Sequence, residues 1–171
     1  MPEFSSPAPI APGFDLSGFD CGNIPLNEFL QRHALDKQNA KLSRTYVVTQ
    51  GAVVVAYYTL SHVSATQAET PKKFGRGMPS VIPAILLARL AVDLKAQGYG
   101  LGTSLVSDAL HRAWGVMDSG AAPVRLFAVD AKDENAKAFY ERFEMIPSPQ
   151  NPMRLFLSYK DLKPIYEDLE G

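Results

Sequence analysis

Between residues 25 and 40, Leu26, Phe29, Leu30, His33 and Ala34 fall at i, i+3, i+4, i+7 and i+8, which predicts a helix with one core-facing stripe. Pro25 suits its first turn and Asn23 is placed to cap it. Two strand-like runs follow, YVVT at 46–49 and VVVAYYTL at 53–60, joined by a tight turn at Gln50, Gly51 and Ala52. Residues 66–80 are polar and basic and are broken by Pro71, Gly75, Gly77 and Pro79, the pattern of a surface loop. ILLARLAVD at 85–93 is apolar apart from Arg89 and Asp93 and reads as a buried strand. After a glycine-rich turn, Leu101, Leu105, Val106, Ala109, Leu110, Ala113 and Met117 keep helical spacing. A strand at 124–130, a short helix at 135–143 and a last strand at 153–159 complete the chain. Alternating helices and strands in this order predict an α/β fold with one central sheet.

Composition narrows the class. At 171 residues and 46% hydrophobic, the chain is sized for one domain of about 100–200 residues. We expect a poorly ordered Pro- and Ser-rich segment at 1–15 and a single domain at 16–171. Cys21 is the only cysteine, which excludes an internal disulfide and a multi-cysteine metal site and fits a reducing, cytoplasmic setting. No apolar run approaches the roughly 20 residues of a membrane span. The net charge of −1 hides an uneven distribution. Arg32, Lys37, Lys41 and Arg44 face only Asp36 in their stretch, Lys72, Lys73 and Arg76 follow, and Glu167, Asp168 and Glu170 sit at the far end. Such clusters are either a solvated surface or a footprint for phosphates.

The sharpest chemical signal is Gln97-Gly98-Tyr99-Gly100-Leu101-Gly102, between a strand and a helix. Amides at a helix start lack intrahelical acceptors and carry the positive end of the helix dipole, so they suit a phosphate. Glycines let the backbone approach the ligand. The P-loop pattern is absent, because no Lys followed by Ser or Thr ends the turn. The dinucleotide pattern G-x-G-x-x-G fails too, with Thr103 or Leu105 at its last place. What matches is Q-x-x-G-x-G at Gln97, Gly100 and Gly102, which resembles the pyrophosphate loop of the GNAT acetyltransferases. LARLAVDLKAQGYGLG resembles one branch in particular, the acetyltransferase toxins of bacterial toxin–antitoxin pairs. FDCGNIPLNEFLQRHA at 19–34, SRTYVV at 43–48, AYYTLS at 56–61 and AKAFYERFEMIPSPQNPMRLFL at 136–157 extend the resemblance over about residues 16–165.

The resemblance implies a GNAT fold, a mixed central sheet flanked by helices. It also implies an N-acetyltransferase that moves acetyl from acetyl-CoA to the α-amino group of aminoacyl-tRNA and so blocks translation. Acetyl-CoA would be the co-substrate, with no metal. It would be held by the backbone at Leu90, Ala91 and Val92, by Gln97, Gly98, Tyr99, Gly100, Leu101, Gly102 and Thr103, and by Asn135 at its pantetheine arm. Tyr140 of AFYERF would protonate the leaving thiolate; a phenol with a pKa near 10 is protonated at neutral pH. Arg32, Lys37, Lys41, Arg44, Lys72, Lys73, Arg76 and Arg89 are the cationic candidates for tRNA phosphates. Arg89 could equally form a structural ion pair with Asp93 or Asp130. His33, His62 and His111 are scattered and form no obvious base. The implied partners are aminoacyl-tRNA, a ribbon-helix-helix antitoxin, operator DNA through that antitoxin, and a second copy in a homodimer, all in the bacterial cytoplasm. Two other readings stay open: a GNAT enzyme acting on a small amine or a protein N-terminus, and a CoA-binding module without catalysis. One departure from the family stands at Glu144-Met145, where Gly-Phe is usual and Gly would form a left-handed helix cap.

Overall fold

The computed structural model describes residues 2–170, with the side chains of residues 168–170 excluded. Met1 and Gly171, the outer bounds of the expected segments, therefore lie outside the described residues, as do the side chains of Asp168 and Glu170. In chain order the elements are β1 (Ala8–Pro9), α1 (Ile24–Glu28), a π-helical turn (Phe29–His33), α2 (Ala34–Asn39), β2 (Arg44–Gln50), β3 (Val53–Thr66) and α3 (Lys72–Gly75). They continue with β4 (Val81–Val92), a 3-10 turn (Leu94–Ala96), α4 (Leu101–Ser119), β5 (Leu126–Asp130), α5 (Glu134–Glu141), β6 (Ile146–Pro147), β7 (Arg154–Ser158) and α6 (Tyr159–Glu170). Among the described residues, the strands form one seven-stranded mixed sheet in the order β1-β2-β3-β4-β5-β7-β6. Helices flank it, as the α/β pattern predicts. Two compact units divide the chain, residues 1–61 with 88–109 and residues 62–87 with 110–171.

In the first unit, β2 and β3 form an antiparallel hairpin that runs from Arg44↔Leu60 to Gln50↔Val53, with a register shift at Val48/Thr49. Gly51 turns it at φ +63°, a backbone angle that Gly adopts without a Cβ penalty. Tyr57, Val47 and Val54 meet Phe29, Leu30, Ala34, Phe19, Ile10 and Ala91 in its core. The Asn23 side chain accepts from the Leu26 amide at 3.0 Å, the cap that the sequence predicts.

The helical stripe, however, does not run straight. The π turn at Phe29–His33 inserts one extra residue into the 3.6-residue repeat. His33 is thereby rotated to an exposed position, and Leu35 packs against the core in its place.

The opening segment also differs from expectation. Ala8 pairs with Val47 and Pro9 with Tyr46, Ile10 is buried, and the Ser5 amide donates to Thr49 O at 2.9 Å. Proline is compatible with a short outer strand, so a Pro-rich composition did not exclude order here.

In the second unit, β4 pairs in parallel with β5 from Ala84↔Leu126 to Leu87↔Val129. The β7 strand runs antiparallel to β5, and β6 to β7. Phe74, Ala65, Ile82, Ala84, Leu126, Ala128 and Phe156 make its core. The predicted loop at 66–80 therefore holds a short helix, α3, whose Phe74 is buried. An aromatic side chain inside a polar, glycine-broken stretch was the available sign of this anchor. The α6 helix is held by Tyr159 and Tyr166 stacked on the buried Trp114, with ring centroids 5.3 and 6.3 Å apart. Among the described residues, no helix is long and apolar enough to cross a membrane.

Candidate active site

The glycine-rich turn begins where β4 ends. Parallel pairing with β5 stops at Leu87↔Val129, so residues 88–92 run on past that register. Leu90 and Val92 are partly exposed and Ala91 is buried. Asp93, only 7% exposed, then ties several segments together. One carboxylate oxygen accepts from the Lys95 amide at 2.9 Å and starts the 3-10 turn. The other accepts from the Asp20 amide at 3.0 Å. Hydrogen bonds to a charged group contribute about 1.5–3 kcal/mol each, so Asp93 fixes both the exit from β4 and the 19–23 segment. Asp20 in turn accepts from the Gly22 amide and from Asn27 Nδ2, which hold its carboxyl below the usual range.

Within the turn, Gln97 Nε2 donates to Val92 O at 3.2 Å. Gly98 and Gly100 adopt φ +86° and +80°, and a Cβ built at either would meet no atom within 4 Å. The glycines are thus demanded by backbone angle and leave open space beside the chain. Ser104 N donates to Gly100 O at 3.1 Å and closes the first turn of α4. The amides of Gly100, Leu101, Gly102 and Thr103 have no acceptor among the described residues. Thr103 and Ser104 add exposed hydroxyls. Free donors at a helix start are the arrangement that suits an anion such as a phosphate.

Tyr140 lies in the second unit, on α5. Asp133 caps that helix, accepting from the Ala136 amide at 2.7 Å, and Asn135 is exposed in its first turn. Phe139 meets Tyr140 edge to face at 5.2 Å. The Tyr140 ring is 7% exposed, and burial pushes its phenol up to about 12. Its hydroxyl has no hydrogen-bond partner among the described residues. Among the described residues, the buried polar side-chain atoms without partners are Ser43 Oγ and Trp114 Nε1, so the Tyr140 oxygen reaches the surface. After α5 the chain turns at Glu144, φ +65°, and its amide donates to Glu141 O at 3.0 Å. Glu144 therefore occupies the left-handed position that Gly usually fills.

The cationic candidates fall into separate groups. Arg32, Lys37, Lys41 and Arg44 are exposed in the first unit, and Lys72, Lys73 and Arg76 are exposed on and beside α3 in the second. Lys73 approaches Asp161 at 3.9 Å, a surface pair worth little. Arg89 takes neither of its expected carboxylates. Its guanidinium stacks 3.7 Å over the Phe29 ring, Asp93 serves the amides of Asp20 and Lys95, and Asp130 holds Arg154 through two bonds of 2.6 and 2.7 Å. A cation over a ring contributes about 0.5–2 kcal/mol. This contact lets Arg89 remain half-buried without an ion pair among the described residues. Among the described residues, no group of three or more His, Cys, Asp or Glu is placed to hold a metal.

The model of the GNAT acetyltransferase family matches residues 23–145. The chain belongs to the GNAT family. Its relatives include a tRNA-acetylating toxin of Mycobacterium tuberculosis, 36% identical over 98% of this chain and 100% of that one. A probable toxin TacT of Sinorhizobium fredii is 32% identical over 84% of each chain. Among solved structures, AtaT complexed with acetyl-methionyl-tRNAfMet superposes with a TM-score of 0.87 at 29% identity, covering 96% of this chain and 99% of that one. A tyrosine-to-phenylalanine variant of KacT gives the same score at 30% identity, over 95% and 98%.

In this GNAT chain the sequence motifs located the glycine turn and AFYERF. They missed Asp93 as a tie, naming it only beside Arg89. An acidic residue closing a strand just before a turn was the available sign. Tyr58 on β3 was also missed. It is fully buried, and its hydroxyl donates to Asp108 of α4 at 2.5 Å. Nothing in the local pattern of VVVAYYTL distinguishes Tyr58 from its neighbours.

Proposed function

We propose that this GNAT acetyltransferase transfers acetyl from acetyl-CoA to the α-amino group of aminoacyl-tRNA, and so acts as a toxin that stops translation. The row of unpartnered amides at residues 100–103, opened by two positive-φ glycines, carries the cofactor half of this reading. The acceptor half is supported by full-length kinship with the tRNA-acetylating toxin and with AtaT.

Backbone amides from Gly98 to Thr103 hold the pyrophosphate, Gln97 holds the turn to β4, and the strand at Leu90, Ala91 and Val92 lines the pantetheine and thioester. Asn135 contacts the pantetheine arm. The neutral amine attacks the thioester carbonyl, the C–N bond forms, and the C–S bond breaks. Tyr140 gives its phenolic proton to the departing sulfur, the surplus proton on the attacking nitrogen leaves to solvent, and the Tyr140 phenolate takes a proton back from solvent. Burial keeps Tyr140 in its acid form across the neutral range. No strong base is required, because an α-amino group with a pKa of roughly 8 is already partly neutral.

The tRNA phosphates are met by the exposed cations Arg32, Lys37, Lys41, Arg44, Lys72, Lys73 and Arg76, with Arg89 nearer the thioester strand. A ribbon-helix-helix antitoxin holds the enzyme inactive and brings it to operator DNA. A tyrosine-to-phenylalanine mutant of AtaT bound to the C-terminus of the antitoxin AtaR and acetyl-CoA supports the first part, and an AtaT-AtaR complex bound to DNA supports the second. The active chain works as a homodimer in the bacterial cytoplasm.

Single-turnover acetylation of charged tRNA by the wild type and by Tyr140→Phe tests the reading. The Phe variant keeps the ring, so acetyl-CoA affinity should stay the same. Turnover should fall by about 10²–10⁴, the usual contribution of one positioned acid. Equal rates from two equally folded proteins would remove Tyr140 from the mechanism. Acetylation of free amines but not of charged tRNA would overturn the acceptor.

A further inference from the structure

The ordered N-terminal segment does more than extend the sheet. Its path along β2 is pinned at several points. The Ser5 amide donates to Thr49 O, the Thr49 amide donates to Ser5 Oγ, and the Ile10 amide donates to Thr45 O, each at 2.9 Å. This course brings Phe4 to the glycine turn, where its ring meets Tyr99 edge to face with centroids 5.6 Å apart. Tyr99 is the one side chain between the two positive-φ glycines, and it remains 49% exposed. The turn has little else to hold its centre. Open space surrounds Gly98 and Gly100, and Gln97 ties only its start.

We infer that Phe4 is a positioning residue for the acetyl-CoA loop. By holding the Tyr99 ring it keeps the following amides in their receptive arrangement before the ligand arrives. The inference rests on the proposed role of that loop. A loop already ordered in the free protein loses less freedom on binding, and the difference appears as affinity. A favourable aromatic pair is strong enough to change an equilibrium about three- to tenfold. Phe4 touches no reacting atom, so its removal acts on binding and leaves the bond-breaking step alone.

The test is calorimetric titration of acetyl-CoA into wild type, Phe4→Ala, Phe4→Tyr, Tyr99→Ala and the Phe4→Ala/Tyr99→Ala double variant. Turnover is measured at saturating acetyl-CoA and folding is checked by thermal melts. Phe4→Ala should weaken acetyl-CoA about three- to tenfold with kcat unchanged, and Phe4→Tyr should restore affinity. In the Tyr99→Ala background, Phe4→Ala should cost nothing further. A wild type that binds acetyl-CoA beside a Phe4→Ala variant of equal affinity overturns the inference and spares the cofactor assignment. An equal loss from Phe4→Ala with or without Tyr99 likewise overturns it, since the effect would not pass through the ring contact. A wild type that does not bind acetyl-CoA overturns both.

Discussion

Glu144 shows how one residue can carry an avoidable cost. It sits at φ +65° two positions after Arg142, the C-cap residue of α5. A side chain in this region costs about 1–2 kcal/mol against glycine, part of which glycine loses again through its freer unfolded chain. Glu144→Gly should therefore stabilise the fold by about 0.5–1 kcal/mol, seen as a higher urea midpoint with an unchanged slope. Because Tyr140 lies one turn upstream, the same variant should retain or raise turnover. The substitution was readable in the sequence as a departure from a familiar pattern, and the structure supplies its geometry. Asp93 was not readable in the same way. Its decisive partner is the Asp20 amide, 73 positions away, and no local pattern announces such a bond. Tyr140 stood out by its motif, but its burial and open hydroxyl came only from the packing around α5.

At the scale of elements, the junction from β4 to α4 is the best-specified part of the chain. The apolar run, the glycines and the helical repeat each predicted their place, and the turn formed between them. Gly100→Asp tests what that junction is for. No neighbour lies within 4 Å of a Cβ there, so the variant meets no steric block. It must instead strain a backbone at φ +80° and place a carboxylate among amides proposed to hold a pyrophosphate. Acetyl-CoA binding should be lost while the melting temperature falls by only a few degrees, as about 1 kcal/mol of local strain would produce. Calorimetry with a parallel melt separates these effects. The first helix was harder to read. Its existence and cap followed from spacing, but a single π turn moved His33 outward and Leu35 inward. A stripe read from spacing holds only for a constant repeat, and the π turn at Phe29–His33 breaks that repeat without a compositional mark.

For the whole molecule, charge matters through its distribution and hardly through its sum of −1. Lys72, Lys73 and Arg76 are carried by a segment whose Phe74 is buried and whose cations stay exposed. Reversing all three to Glu should leave the fold and acetyl-CoA affinity intact. Affinity for charged tRNA should drop, and its dependence on salt should flatten by about 0.7–0.9 in log–log slope for each phosphate no longer neutralised. An unchanged slope in filter-binding titrations would move the tRNA footprint to Arg32, Lys37, Lys41 and Arg44. The sheet was largely legible as an α/β alternation. Its two-residue strands and α6 were not, because two residues carry no period and Pro164 within Tyr159–Glu170 argues against a helix.

Those two-residue strands have a consequence for how the protein behaves in a crowded cell. The strand order leaves β1 and β6 at the margins of the sheet, and each consists of one ordinary residue followed by proline, Ala8–Pro9 and Ile146–Pro147. Proline offers no N–H, and a margin this short gives an incoming strand almost no ladder to extend. At both margins the outermost strand is thus a poor template for edge-to-edge aggregation.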